Sequence, residues 1–380
     1  MGIASTTSSK GAVWLEDPGR ARVTTVARKE ENQRSRRWWD RVAGLLWAGR
    51  GVHPLQWAVK HPVFGYLVRR VITSALLIVA LSAIIFFSIQ RIVPGTVAVV
   101  LAGSLGATPA QVRAIEKRLG LLDPLWSQYV HWAGRALHGN FGKSPISGLK
   151  ISSVIGQQAP VSVELALFGL AIATVVGVPI GVLAAVAGQR SPHRDMLIRL
   201  PFLVLYALPF FVSGAVLLLL ASRFFPSLYS AAYVPLTSNF GGNLRSMILP
   251  AIAVGLPVSG NVVQMTRATM AETLSQQFII TARGNGIRKW RLYGVYALKA
   301  ASLPILSLEG FSFGILISGV VVVEDVFSLP GIGRGLLLAI QNRDYLELEA
   351  QVLVLVLAFI IGNLVVDLVS PLVDRRITLR

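Results

Sequence analysis

The fold of this 380-residue chain is decided by the stretch Arg267–Pro304, which reads RATMAETLSQQFIITARGNGIRKWRLYGVYALKAASLP. The stretch carries six Arg or Lys residues and one acid, Glu272, and it separates two apolar runs that are each long enough to cross a membrane. A charged, helix-prone connector of this length inside an apolar chain predicts a segment that another protein contacts. The alternative is a solvated connector, which does not need this length.

Within this stretch the pattern predicts two helices joined by a tight turn. Ala268–Arg283 is compatible with a helix, and Gly284-Asn285-Gly286 ends it, because both glycines can adopt left-handed backbone angles. Ile287–Ala301 is predicted to form the second helix, which enters the membrane at Pro304. The product is a compact helical hairpin.

Composition places the chain in a membrane. Hydrophobic residues make up 53% and charged residues 14%, with a mean hydropathy of +0.62, whereas a soluble domain has about 25% charged residues. The absence of cysteine excludes disulfides, thiolate catalysis and cysteine-ligated metals, and the five histidines form no i, i+4 ligand pair. We interpret the net charge of +18 as Arg and Lys held on the cytosolic side near anionic lipid, not as nucleic-acid binding.

Six runs with few or no charges predict an all-α membrane protein with six transmembrane helices. The runs are Val71–Ile89, Leu165–Ala187, Leu200–Ser222, Met247–Thr266, Ala300–Val323 and Ala350–Val366. Basic residues in Gln189–Arg199 and in 267–304 predict that these segments and both termini lie in the cytosol. The outer segment, about 91–161, is also basic, but loops longer than about 60 residues cross a membrane largely regardless of charge.

The chain is predicted to have two parts, of which residues 63–380 form the six-span domain. Residues 1–62 form a basic cytosolic extension that lacks a signal-peptide core and is expected to be partly disordered. Within it, Trp38–Trp57 places Trp and Arg at helical spacing, which predicts a helix in the headgroup plane; a tail that packs on a partner or stays mobile is the alternative. In the outer segment, Thr108–Gly120 and Asp123–Gly139 predict two short helices.

The motif His138–Ser144, HGNFGKS, is similar to a phosphate-binding loop only in its last three residues, Gly142-Lys143-Ser144. Such a loop needs a glycine five residues before Gly142-Lys143-Ser144, and that position holds Leu137. The motif also lies on the predicted outer side, away from ATP. We therefore do not expect this chain to bind ATP.

The polar residues singled out in or at the end of predicted spans are Glu309, Asn363 and Asp367. A carboxylate at membrane depth is a candidate functional group that faces the bundle or a water-filled translocation path. Glu309 lies about one and a half turns beyond Pro304, which favours a near-interface residue bonded to a neighbouring helix or to a partner. Asn363 and Asp367 are spaced i, i+4, and helix packing is favoured over ligand contact for both.

Several motifs follow one another in a recognisable order between about residues 65 and 380. They are Leu119–Tyr129, Gly139–Gly142, Pro179–Ala184, Thr281–Gly286 with Ala297–Pro304, and Val322–Gly333 with Asn342–Tyr345. Together they resemble the first (B-type) permease of the dipeptide/oligopeptide/nickel subfamily of ATP-binding-cassette importers. The fourth motif is similar to the form that the "EAA" loop takes in that subfamily.

The resemblance implies a type I importer permease that works with other subunits. These are a homologous second permease, two ATPases that use ATP and Mg, and an extracytoplasmic binding protein that delivers peptide. It also implies that a coupling segment lies in a groove of one ATPase, formed by Ile280, Thr281, Ala282, Arg283, Gly284, Asn285 and Gly286. Ile280 differs from the general loop pattern, which starts with Glu, and an isoleucine cannot form the salt bridge that a glutamate at this position would form.

We therefore expect a permease subunit of the bacterial plasma membrane that catalyses nothing alone and binds no cofactor, metal or nucleic acid. A membrane-embedded enzyme is one alternative, but it needs a catalytic constellation at membrane depth, and the sequence offers no Ser/His, His-rich or paired-acid set. A secondary transporter is another, and it needs coupling-ion residues and no large cytosolic hairpin. The ligand stays open among dipeptides, oligopeptides, nickel chelates, glutathione, haem and oligosaccharides.

Overall fold

The computed structural model describes residues 62–92, 122–229 and 232–373 and the separate positions 108, 110, 112, 113 and 117; for 62–67, 90–92 and 369–373 it describes the backbone alone. The predicted interfacial helix Trp38–Trp57 lies outside the described residues, as does most of the predicted helix Thr108–Gly120. The described elements are helical apart from one isolated β-bridge between Lys143 and Lys150. The all-α prediction is confirmed.

The described helices vary from single turns to segments of 38 residues. In chain order they are α1 Pro62–Ile92, α2 Leu125–Leu137, α3 Ile151–Gly188, α4 Pro192–Ala207, α5 Phe210–Phe224, α6 Pro226–Tyr229, α7 Phe240–Leu274, α8 Gln277–Gly284, α9 Lys289–Arg291, α10 Leu298–Val326, α11 Ile332–Gln341 and α12 Tyr345–Val373. A π-helical stretch, Leu292–Ala297, joins α9 to α10. The predicted second outer helix is confirmed as α2.

Five helical segments are each long and apolar enough to cross a membrane. They are Val68–Ile89, Ile151–Gly188, Phe240–Leu274, Lys289–Val326 and Tyr345–Leu368. The pair α4–α5 passes the same test jointly but is bent by 104°. Counting the pair as one broken span gives the six spans that the sequence predicts, with the break inside the predicted run Leu200–Ser222.

The break in this span has a local cause at Pro209. Proline has no N–H to continue the helical ladder, and it disfavours helical angles at the residue before it. Leu208 accordingly adopts extended angles (φ −81°, ψ 131°), and α5 begins directly after Pro209. The helices continue through Pro201, Pro179 and Pro304, so proline alone does not mark a break.

Glycines bring α3 and α7 into close contact along their length. A Cβ at Gly177 would lie 2.6 Å from the Cβ of Val262, and one at Gly181 would lie 2.5 Å from the Cβ of Thr266. Any larger side chain would therefore separate the two helices. Buried residues of α3, α7 and α10 form the main core beside this contact.

The long helices run back and forth through the bundle, so the segments between them lie at one of two ends. The hairpin end carries residues 189–191 and 275–298, and the opposite end carries 142–150 and 327–344. At the opposite end the hydroxyl of Ser144 donates to the buried carboxylate of Asp344. The end of the HGNFGKS motif is therefore a structural contact between distant segments. The motif Val322–Gly333 also lies at this end, where Glu324 accepts from the backbone N–H of Arg334 in the first turn of α11.

Candidate functional site

The hairpin at residues 275–298 begins with a break that the sequence did not predict. The predicted helix Ala268–Arg283 is two helices, because α7 ends at Leu274 and α8 starts at Gln277. The Ser275 hydroxyl donates to the carbonyl of Glu272 at 2.7 Å, and Gln276 is extended (ψ 148°). A serine that bonds to the backbone in this way competes with helix continuation, so α8 is free to take its own direction.

The turn after α8 is closed by two backbone hydrogen bonds. Gly286 N–H donates to the Arg283 carbonyl at 3.1 Å, and Ile287 N–H donates to the Ala282 carbonyl at 3.2 Å. This is the Schellman arrangement, which places one residue in the left-handed region. That residue is Gly286, at φ +75°, whereas Gly284 is the last helical residue. The prediction that this segment turns is confirmed, with one left-handed glycine.

The short helix α8 has one face turned into the bundle. Ile279 and Ala282 are buried in a cluster with Met270 and Leu274 of α7 and with Leu292 of the π-helical stretch. Ala282 is 8% exposed. Its small side chain therefore lets α8 pack closely on the bundle and faces away from the surface that a partner could contact.

The other six predicted coupling residues form one exposed ridge. We define the exposed ridge as Ile280, Thr281, Arg283, Gly284, Asn285 and Gly286. Ile280 is 53% exposed, and a Cβ at either glycine would have no neighbour within 4 Å. The Arg283 guanidinium donates to the Gln189 side chain at 3.4 Å, which links the ridge to the segment between α3 and α4.

A basic aromatic segment follows the ridge. Arg288, Lys289, Trp290 and Arg291 are all exposed, and the Arg291 guanidinium lies 5.7 Å from the centre of the Trp290 ring. The π-helical stretch Leu292–Ala297 comes next, and such stretches inside α-helices frequently occur at functional sites. Trp and cationic side chains together are typical of a membrane–water interface.

An ionic network at the base of the hairpin was missed by the sequence analysis. Asp195, in the first turn of α4, accepts from Arg199 Nε at 2.7 Å and from Arg267 Nη2 at 2.5 Å. Arg199 also donates to the Gln264 side chain at 2.8 Å. In the sequence, only the position of Asp195 as the one acid in a basic segment, four residues before Arg199, indicates an ion pair. Its second partner, Arg267 of α7, could not be identified from the sequence.

Glu309 lies inside α10, away from the exposed ridge. Its side chain is 8% exposed, and neither carboxylate oxygen has a hydrogen-bond partner among the described residues. Thr174 of α3 lies beside it but donates its hydroxyl to the Leu170 carbonyl at 2.8 Å. The interpretation of Glu309 as a near-interface residue bonded to a neighbouring helix or to a partner stays a prediction.

Asn363 and Asp367 both lie on α12, and both make local or interhelical bonds. Asn363 donates to the Phe359 carbonyl one turn earlier at 2.9 Å. Asp367 accepts from Arg70 Nε of α1 at 2.5 Å, so it joins the first and last spans. Neither residue contacts the exposed ridge, and the described residues contain no group of His, Asp or Glu that could hold a metal ion.

This geometry defines a class of protein: a multi-pass, all-α membrane protein with a basic helical hairpin exposed at one end of its bundle. Residues 177–379 match a family described as "Binding-protein-dependent transport system inner membrane component". Residues 63–160 match the family described as "Binding-prot-dependent transport system membrane comp, N-term". The chain belongs to the family of binding-protein-dependent transport system inner membrane components.

Similar proteins include transport-system permeases of bacteria. One, named "Probable peptide ABC transporter permease protein y4tP", from Sinorhizobium fredii, is 33% identical over 315 residues, which cover 82% of this chain and 98% of the relative. The "Dipeptide transport system permease protein DppB" of Escherichia coli is 33% identical over 315 residues, which cover 77% of this chain and 92% of the relative. The similarity therefore extends over nearly the whole length of both relatives.

Proposed function

We propose that this chain is a permease subunit of an ATP-driven peptide importer and that it forms half of the translocation pathway. The family and the names of its relatives support the transport of peptide. The proposed complex contains a second permease, two ATPase subunits that use ATP and Mg, and an extracytoplasmic binding protein. The proposed location is the bacterial plasma membrane, with both termini in the cytosol.

The exposed ridge is the single observation that carries this proposal. Its residues are held in place because the inner face of α8 is buried in the bundle, so a force applied to the ridge reaches the spans directly. Ile280 and Phe278 expose apolar surface beside Arg283. A mixed apolar and cationic surface on a firmly packed helix fits docking to a protein groove.

The proposed mechanism uses the ridge as the contact with an ATPase. ATP binds differently to the open and the closed ATPase pair, and closure moves the docked ridge. The ridge then shifts α7 and α10, to which the hairpin is joined, and the bundle alternates between outward-open and inward-open states. This chain supplies the path and the contact, and its proposed partners supply the hydrolysis.

Purification of the tagged chain from native membranes tests the proposal. We expect two ATPase subunits and a second permease to co-purify, and the reconstituted complex to import labelled dipeptides in the presence of its binding protein and ATP. Competition by unlabelled tripeptides and by a nickel chelate then ranks the ligand classes. Recovery of the folded chain without any ATPase, or uptake that proceeds without ATP, would contradict the proposal.

A further inference from the structure

The network around Asp195 joins separate helices at the base of the hairpin. Asp195 is 3% exposed, and its two carboxylate oxygens bind Arg199 of α4 and Arg267 of α7. A Cβ at Gly188, the last residue of α3, would lie 3.4 Å from the Asp195 Cβ, so α3 also ends against this side chain. The Asp195 carboxylate is therefore bonded within α4 and to α7, and the end of α3 lies close to the same side chain.

An ionic contact is not required simply to stabilise the packing of these helices. Removing charges from water is costly, and apolar residues of similar size often hold helices together at least as well. What an Arg–carboxylate pair adds is direction, because the planar guanidinium binds the carboxylate through two N–H groups in a fixed geometry. Arg267 donates to Asp195 Oδ2 from Nε at 3.0 Å and from Nη2 at 2.5 Å. The contact therefore couples the relative positions of α4 and α7.

The two helices that this contact joins lead to different parts of the molecule. From Arg267, α7 continues for about two turns to Leu274, where the hairpin and its exposed ridge begin. From Asp195, α4 leads to the break at Pro209 and to α5. At that break a cavity of about 210 Å³ is lined by Tyr206, Phe210, Pro257 and Asn261, among other residues.

We propose that the Asp195–Arg267 contact transmits movement of the hairpin to the bent pair α4–α5. The inference rests on the proposed function, since it needs an ATPase that moves the ridge. Asp195 and Arg267 are positioning residues in this scheme, and neither belongs to the ridge. When α7 moves, the guanidinium–carboxylate pair displaces the start of α4. This displacement changes the angle between α4 and α5 at the cavity.

The variant Arg267→Gln tests this proposal with little risk to folding. It removes the ionic bond between Asp195 of α4 and Arg267 of α7, while the Arg199–Gln264 hydrogen bond between the same helices remains. Asp195 keeps its bond to Arg199 within α4 and is not left as an unpaired buried charge. Arg194→Gln is the matched control, because Arg194 precedes Asp195 on the same helix and is exposed. Arg267→Lys keeps the charge without the two-pronged geometry and should restore coupling in part.

The readout is peptide imported per ATP hydrolysed by the reconstituted complex, measured with a labelled mixture of di- and tripeptides. We expect Arg267→Gln to lower this ratio about tenfold, while the amount of assembled complex and its ATP hydrolysis stay within about twofold of wild type. Arg194→Gln should leave the ratio unchanged. An unchanged ratio in Arg267→Gln, with or without a lower melting temperature, would show that the contact only fastens the helices and would overturn the proposal.

The same experiment separates this inference from the proposed function. If the wild-type chain neither binds ATPases nor supports ATP-dependent uptake, the proposed function fails. If the wild type does both and Arg267→Gln remains fully coupled, only the role of the Asp195–Arg267 contact fails.

Discussion

Gly284 and Gly286 lie two residues apart in the hairpin, but replacing each by alanine should change the stability of the fold in opposite directions. Gly286 has φ +75°, a region that costs a residue with a Cβ about 1–2 kcal/mol. Gly284 is helical, where alanine is favoured over glycine by about 1 kcal/mol. Because a Cβ at either position meets no neighbour within 4 Å, only backbone conformation differs. We therefore expect Gly286→Ala to lower the melting temperature of the purified chain and Gly284→Ala to leave it unchanged or raise it.

Equal melting temperatures for these two variants would contradict the left-handed turn at Gly286. The sequence predicts the end of the helix here but not which glycine adopts the left-handed conformation. The pair of glycines predicted that the helix ends between Arg283 and Ile287, and it does. Which glycine adopts the left-handed angle depends on the two closing hydrogen bonds, and those depend on where α8 starts.

Ile280 is the residue of the exposed ridge where apolar contact with a partner is easiest to test. Ile280→Ala removes apolar area that docking would bury, which we expect to cost about 1–2 kcal/mol of binding, or roughly tenfold in Kd for the ATPase. The measurement is titration of the purified ATPase onto the detergent-solubilised permease pair. Glu272→Gln is the control, because Glu272 is exposed on α7 outside the ridge. An unchanged Kd in Ile280→Ala would remove Ile280 from the interface.

At the scale of elements, the break between α4 and α5 distinguishes Pro209 from Pro201. Pro201 lies inside α4, whereas Pro209 follows the extended residue Leu208. Pro209→Ala restores an N–H and removes the steric restriction on Leu208, so the two helices can join. We expect this variant to straighten the span and to lower peptide uptake strongly. Pro201→Ala is the matched control and should leave uptake near wild type.

The measurement for the Pro209→Ala variant is ATP-dependent peptide uptake together with the distance between spin labels on α4 and α5. An unchanged distance would show that packing, not proline, holds the bend. The sequence could not locate this break, because the run Leu200–Ser222 contains two prolines in similar apolar surroundings. At Pro209 the break also finds room in the bundle, because Gly319 of α10 leaves space that the Phe210 ring fills.

At the scale of the whole molecule, runs with few or no charges were sufficient to predict six spans, with α4–α5 counted as one, because each run must satisfy its backbone groups internally in a membrane. Contacts between distant segments were not predictable in this way. Asp195 and Arg267 are 72 positions apart, and each alone is typical of a basic cytosolic segment. The segment 280–286 could be singled out from the sequence because its residues are consecutive. The burial of Ala282 within it could not, since it depends on Met270 and Leu292.

The orientation of the bundle is the remaining prediction at this scale, and the absence of cysteine makes it directly measurable. Gln276 is exposed at the hairpin end and Lys143 is exposed at the opposite end. Because cationic segments are retained on the cytosolic side, we expect a membrane-impermeant maleimide to label Gln276→Cys in inside-out vesicles and Lys143→Cys in right-side-out vesicles. The cysteine-free wild type measures background. Labelling of Gln276→Cys from the outside would place the exposed ridge beyond the reach of any cytosolic ATPase.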